Sequence, residues 1–168
     1  MKPFLIKFLP EDKISNLRVS MMIAPALGGI LGVSFGGMIT DFIIKKNYMQ
    51  PIKSRFLIMS LSQIIAACFA YRVIEKHDSS YYILLTITFF FSEMWFGCLY
   101  ATLMDILPEN DRQYLTTFFG IFIFSMNFTA SYTPYMKDML GLEKSMKVMY
   151  AGGYAASGML FFLNFLIN

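Results

Sequence analysis

Apolar residues run through this chain in long blocks, and polar residues collect in short clusters between them. A helix needs about 20 mainly apolar residues to cross the ~30 Å of bilayer hydrocarbon. Five blocks reach or approach that length: about Val19 to Ile44, Phe56 to Tyr71, Tyr81 to Leu107, Tyr114 to Met136, and Val148 to Ile167. The second is short and draws on its flanks. The interruptions read "KKNYMQPIKSR", "RVIEKHDSS", "PENDRQ" and "KDMLGLEKSMK", with Pro51 and Pro108 where helices are expected to stop. The blocks are too long for barrel strands and lack a two-residue alternation. The pattern predicts an all-α membrane protein of about five transmembrane helices over residues 19–168. Residues 1–18, "MKPFLIKFLPEDKISNLR", mix apolar and charged side chains with two prolines. They read as an interfacial or loop segment, or as the tail of a longer chain.

Composition agrees with a membrane setting. The chain is 57% hydrophobic and 15% charged, with a mean hydropathy of +0.55, whereas soluble domains carry roughly a quarter charged residues. A surface this apolar would associate in water. The net charge of +3 lies in small basic clusters beside the blocks, as membrane flanks do. No continuous basic stripe marks a nucleic-acid partner. Cys68 and Cys98 fall inside blocks and read as small buried residues. The single histidine, His77, sits in a polar loop, and no metal cluster or Ser/His/Asp set is visible. No enzyme, cofactor or metal is therefore expected, and the expected partners are membrane lipids. The charged residues from Lys7 to Asp12 interrupt the first apolar stretch too early for a signal peptide.

Three features carry candidate chemistry. Ala24, Gly28, Gly32 and Gly36 recur every four residues, which makes one helix face nearly smooth and suited to close helix packing. Gly152, Gly153, Ala156 and Ser157 repeat the idea more weakly. Asp41 closes the first block at the negative end of a helix dipole, where an acid is unfavourable. Lys45, one turn on, or the N-terminus of a second helix would offset that cost. Glu93 stands about 12 residues from either end of its block, ~18 Å at ~1.5 Å per residue. An ionised carboxylate there costs at least ~2.5 kcal/mol, so it must be protonated, paired or facing water. It is read as a proton-coupling or substrate-pathway residue, against a neutral acid that bonds helices together. Gln63, Ser125, Asn127 and Thr129 are further mid-block polar groups. Asn127 shares a helix face with Ser131 and serves either a solute or a neighbouring helix. Trp95 and Tyr100 line a cavity or pack against lipid and helices. Asp105 and Arg112 flank the turn at Pro108, where an exposed ion pair is expected to contribute little.

In "SFGGMITDFIIKKN", Gly37, Asp41, Lys45 and Lys46 resemble the loop motif Gly-x-x-x-Asp-Arg/Lys-x-Gly-Arg/Lys-Arg/Lys of the major facilitator superfamily of secondary transporters. Phe42 replaces a basic residue of that motif, and Ile44 replaces its second glycine. Downstream, "SEMWFGCLYATLMDILPENDR" carries Glu93, Asp105 and Arg112, and a further block ends "SYTPYMKD". This order is similar to the C-terminal half of Spinster-like members, from their eighth to their twelfth helix, over about Ala24 to the end.

The resemblance implies transport by rocking two six-helix halves about a central site. Gly37, Asp41, Lys45 and Lys46 would belong to a cytoplasmic latch. An N-terminal half would be missing from this chain or supplied by a partner, and the chain alone is expected not to perform alternating access. Spinster-like relatives suggest a lipid-like solute and a plasma or endolysosomal membrane. Counting Lys and Arg by side places Met1 in the cytoplasm, whereas the family order places the 45–55 loop there. The family order is preferred, because that loop is the dense basic cluster without acids. The competing function is a non-transporting scaffold or regulatory subunit whose glycine-lined helices dock onto a partner.

Overall fold

Lipid offers no partner to backbone N–H and C=O groups, so an apolar block satisfies them within itself by becoming a helix. In the computed structural model the described residues are 11–75, 81–115, 117, 119–121 and 132–167, and their regular structure is helical throughout. Helix α1 spans Glu11–Lys45, α2 Pro51–Glu75 and α3 Tyr81–Ile106. A 3-10 turn, Glu109–Asp111, follows. After it come the short α4, Thr133–Leu140, and α5, Leu142–Met146. A π-helical turn, Lys147–Gly152, joins α5 to α6, Gly153–Ile167.

Four stretches are long and apolar enough to cross a membrane: Met22–Lys45, Pro51–Glu75, Tyr81–Ile106 and Leu142–Ile167. The regular structure of the described residues is thus all-helical, with four helices compatible with a multi-pass membrane protein. The fourth block, Tyr114 to Met136, falls largely outside the described residues, and Ser125, Asn127, Thr129 and Ser131 lie there.

The helix ends differ from the blocks for physical reasons. α1 starts at Glu11, so residues 11–18 continue the first span as helix. Pro10 precedes Glu11 and Asp12, and acids in a first turn favour a helix N-terminus. α2 begins on Pro51, whose missing N–H costs nothing at a first helical position. The last span begins before the expected Val148, because Gly141, at φ 79°, ends α4 and lets α5 restart at once. Lys147 is accommodated in that span by its ion pairs with Glu75 (3.3 Å) and Glu143 (3.0 Å), and it lies 4.7 Å from the Tyr71 ring centroid.

α3 is packed by α1 on one side and by α2 on the other, and α2 in turn packs against α6 and the π-helical turn. α1 and α3 run parallel in a constant register. Gly28 lies opposite Thr86, Gly32 opposite Phe90 and Gly36 opposite Met94, so contacts advance four residues at a time on both helices. Those glycines touch backbone. A Cβ on Gly28 would sit 2.6 Å from the Thr86 carbonyl oxygen, and one on Gly32 or Gly36 would strike the carbonyl of Phe90 or Met94. Gly97 mirrors this from α3, because a Cβ there would strike the Val33 carbonyl. Ala24 is buried on the same face. Close backbone contact of this kind holds membrane helices together where no hydrophobic effect operates between them.

The α3–α2–α6 side is joined by side-chain hydrogen bonds instead. Gln63, 2% exposed, donates through Nε2 to the Ser92 carbonyl at 2.9 Å. Its Oε1 accepts from the Ser157 hydroxyl at 3.1 Å. The Ser60 hydroxyl donates to the Gly158 carbonyl at 2.9 Å. Gln63 therefore ties α3 to α6 from its seat on α2.

Glycines 36 and 37 differ sharply in surroundings, since a Cβ on Gly37 would meet nothing within 4 Å. Gly36→Val should lower the detergent-unfolding stability by about 1–3 kcal/mol, the usual cost of overpacking. Gly37→Ala should leave it unchanged within about 0.5 kcal/mol. Equal effects at the two positions would contradict the α1–α3 register.

Candidate functional site

Mid-way along α3 the chain places its one acid far from either helix end. α3 runs from Tyr81 to Ile106, and Glu93 lies roughly 18 Å from either end at ~1.5 Å per residue. It is partly buried. Opposite it on α1 is Gly29, where an added Cβ would stand 3.6 Å from the Glu93 Cγ. Phe89 and Phe96 sit one turn away on either side, on the same face of α3. Phe96 packs against Phe119 at a centroid distance of 4.9 Å, and Phe119 stacks on Tyr100 at 5.7 Å. Trp95 lies edge-on to Phe96 at 5.8 Å and stacks on Phe161 of α6 at 6.4 Å. Tyr154 of α6 reaches the Ser92–Glu93 level and interacts electrostatically with the Glu93 carboxyl. Among the described residues that carboxyl forms no ion pair. A carboxyl so placed can take up and release a proton, or bind a cation.

A second polar group of residues occupies the end where α1 and α3 finish and α2 begins. Arg55 of α2 is 5% exposed and donates from Nη1 to Asp105 Oδ2 of α3 at 2.6 Å. The Asp105 side chain remains 58% exposed. The ion pair expected between Asp105 and Arg112 is not formed. α2 and α3 are antiparallel neighbours, so the start of one is level with the end of the other and Arg55 meets Asp105 first. The 3-10 turn carries Arg112 onward to Glu109, at 3.9 Å.

On α1, buried Thr40 donates its hydroxyl to the carbonyls of Gly36 (2.9 Å) and Gly37 (2.7 Å). The Cys98 thiol of α3 donates to the Gly36 carbonyl at 3.3 Å. Asp41, Lys45 and Lys46 are exposed beside this group. α1 does continue unbroken from Asp41 to Lys45, yet no ion pair joins them among the described residues. Lys46 Nζ instead lies 5.9 Å from the Phe42 ring centroid.

The candidate residues therefore separate into two levels. Glu93 and Gly29 stand at mid-span, while Asp41, Lys45, Lys46 and Asp105 stand at one end, roughly 18 Å away along the helices. Ala24, Gly28, Gly32 and Gly36 share the α1–α3 seam, and Gly32 and Gly36 lie between the two levels. Asn127 lies outside the described residues. Sequence reasoning missed Arg55 and Lys147, which it counted only as loop charges. The signal was present for Arg55: an acid in the last turn of α3 needs a base on the helix that starts beside it.

Comparison with known proteins adds no relative: no family model matches the chain, nor does any curated protein or solved structure.

The buried half of the Arg55–Asp105 pair sets the order of two mutational effects. Asp105→Asn leaves a desolvated guanidinium facing a neutral group, and should cost on the order of 2 kcal/mol. Arg55→Met keeps an apolar stem in the packed position and leaves Asp105 to water, so it should cost less. Denaturant unfolding of both variants in detergent checks the order. A larger loss for Arg55→Met would show that packing of the arginine stem, not its charge, is what matters there.

Proposed function

We propose that this chain serves transmembrane transport of a small organic or lipid-like solute as part of a secondary transporter. The observation that carries this reading is the placement of Glu93. A carboxyl held at mid-span, with only a glycine opposite it on α1, is a costly arrangement that a passive span has no reason to keep. Intramembrane acids of this kind serve proton relays and solute paths, and the mid-membrane level is where transporters of this class place their sites. The resemblance to the major facilitator superfamily, and to its Spinster-like members, adds the proposed mechanism. Two halves rock about a central site, with the remaining helices contributed from outside this chain. Gly37, Asp41, Lys45 and Lys46 then act at the cytoplasmic gate, with Asp105 and Arg112 at the neighbouring turn. The membrane is proposed to be the plasma membrane or an endolysosomal one.

The scaffold reading draws less support from the fold. Of its glycine-lined docking faces, that of α1 is occupied by α3, while Gly152 and Gly153 remain exposed. In a scaffold Glu93 would be a neutral acid that bonds helices together, and among the described residues no side-chain hydrogen bond or ion pair of that kind is formed.

The test compares sealed membrane vesicles from three cell lines: one lacking the chain, one restored with the wild type and one restored with Glu93→Gln. Profiling of vesicle solutes under an imposed pH gradient should show accumulation or depletion that depends on the wild-type chain. Glu93→Gln should reduce it by roughly tenfold or more, since general proton-transfer groups contribute at least that much. Identical solute profiles in the three lines would overturn the transport reading.

A further inference from the structure

The surroundings of Glu93 also carry information about the charge of what it meets. Lys, Arg and His are absent from residues 19–44, 56–71, 81–111, 113–136 and 148–168. None of these apolar stretches therefore carries a basic side chain. Among the described residues Glu93 has no countercharge at its own level. Among the described residues, Gln63, the Ser92 carbonyl and the Ser157 hydroxyl bond to one another, and Tyr154 of α6 is the neutral polar side chain beside Glu93. The face of α3 that carries Glu93 is aromatic on either side of it. Phe89 precedes it by one turn, Phe96 follows by one turn, and Gly29 of α1 lies against the Glu93 stem, where an added Cβ would stand 3.6 Å from Cγ.

We propose that Glu93, with Phe89 and Phe96 beside it and Gly29 opposite, binds the cationic head of an amphiphilic amine. As the solute class of the transport proposed above, it rests on that reading. Charge decides the class. A carboxylate attracts an ammonium group strongly where water is scarce, and the faces of aromatic rings attract the same cation through their quadrupole. Among the described residues an anionic head would find no Lys or Arg at this level, and Glu93 would repel it. A sugar or polyol needs several free donors and acceptors, and the described polar side chains at this depth are bonded to one another. The apolar walls on both sides of Glu93 suit a hydrocarbon tail.

The chain carries its own reporter, because its single tryptophan, Trp95, lies two residues from Glu93. The test uses the full chain in nanodiscs of zwitterionic lipid, titrated with an N-alkylpyridinium, an amphiphilic cation that quenches indole fluorescence. Saturable quenching is expected, displaced by an alkyltrimethylammonium of the same chain length. An alkylmaltoside or alkylsulfonate of that length should not displace it. Glu93→Gln should weaken binding by roughly tenfold or more, as loss of a desolvated charge partner requires, while Glu93→Asp should retain most of it. Matching helical circular dichroism in the three proteins confirms that the variants are folded. An unchanged titration curve for Glu93→Gln would overturn the proposal, as would displacement by the maltoside as effective as that by the ammonium.

The two readings fail separately. Glu93-dependent movement of only neutral or anionic solutes in the vesicle assay would sink the cation class and leave transport standing. Glu93-dependent ammonium binding with identical vesicle profiles would sink transport and leave the binding site standing.

Discussion

The bundle depends on the contact between the backbones of α1 and α3. Three glycines of α1 meet three carbonyls of α3 in step, and Gly97 answers from the other side. No layer of side chains separates the two helices at these points. In lipid, apolar side chains gain little by leaving the solvent for one another, so close packing and polar contacts must do what hydrophobic burial does in water. Glycine permits both here, because the missing Cβ brings carbonyl groups of one helix against Cα groups of the next, where weak C–H···O contacts add to dispersion. The Cys98 thiol and the Thr40 hydroxyl then converge on the Gly36 carbonyl and hold the end of the seam.

On the other side of α3 the chemistry changes. α2 and α6 are held by Gln63, Ser60 and Ser157, each of which finds its partner on a neighbouring helix. Polar groups at mid-depth are tolerated because they satisfy each other. Glu93 departs from that rule in kind. It is ionisable, it lies at the same depth, and the described residues give its carboxyl no opposite charge. The contrast between a satisfied amide network on one face of α3 and an acid on another is what separates structural polarity from candidate function in this bundle.

Much of this was legible in the amino-acid pattern, and the limits have physical causes. The spans follow from block length alone, and the glycine face follows from four-residue spacing. Spacing within one helix cannot say which neighbour the face meets, so the parallel α1–α3 register was not readable. Gln63 was visible as a mid-block polar group, while its two partners lie on helices far away in sequence. Asp105 was matched with Arg112 because nearness along the chain is the available guide before a fold is known. The antiparallel setting of α2 and α3 overrides it, bringing Arg55 across from a helix start. Lys147 was counted as a flank charge, since nothing local announces the Glu75 carboxylate at the end of α2.

The two kinds of contact around α3 imply two kinds of mechanical behaviour. The α1–α3 seam is backbone against backbone, and a shift along it would drive glycines into the next carbonyl. That pair behaves as one body. The contacts of α3 with α2 and α6 run through side chains with rotatable bonds, and Arg55 reaches Asp105 through a long flexible stem. Glu93 sits on the stiff member, with Gly29 of the same stiff pair opposite it. A change of charge or occupancy at Glu93 therefore cannot be absorbed between α1 and α3. It must be accommodated where α3 meets its softer neighbours, and the Arg55–Asp105 pair, on the same helix roughly 18 Å away, lies on that softer side.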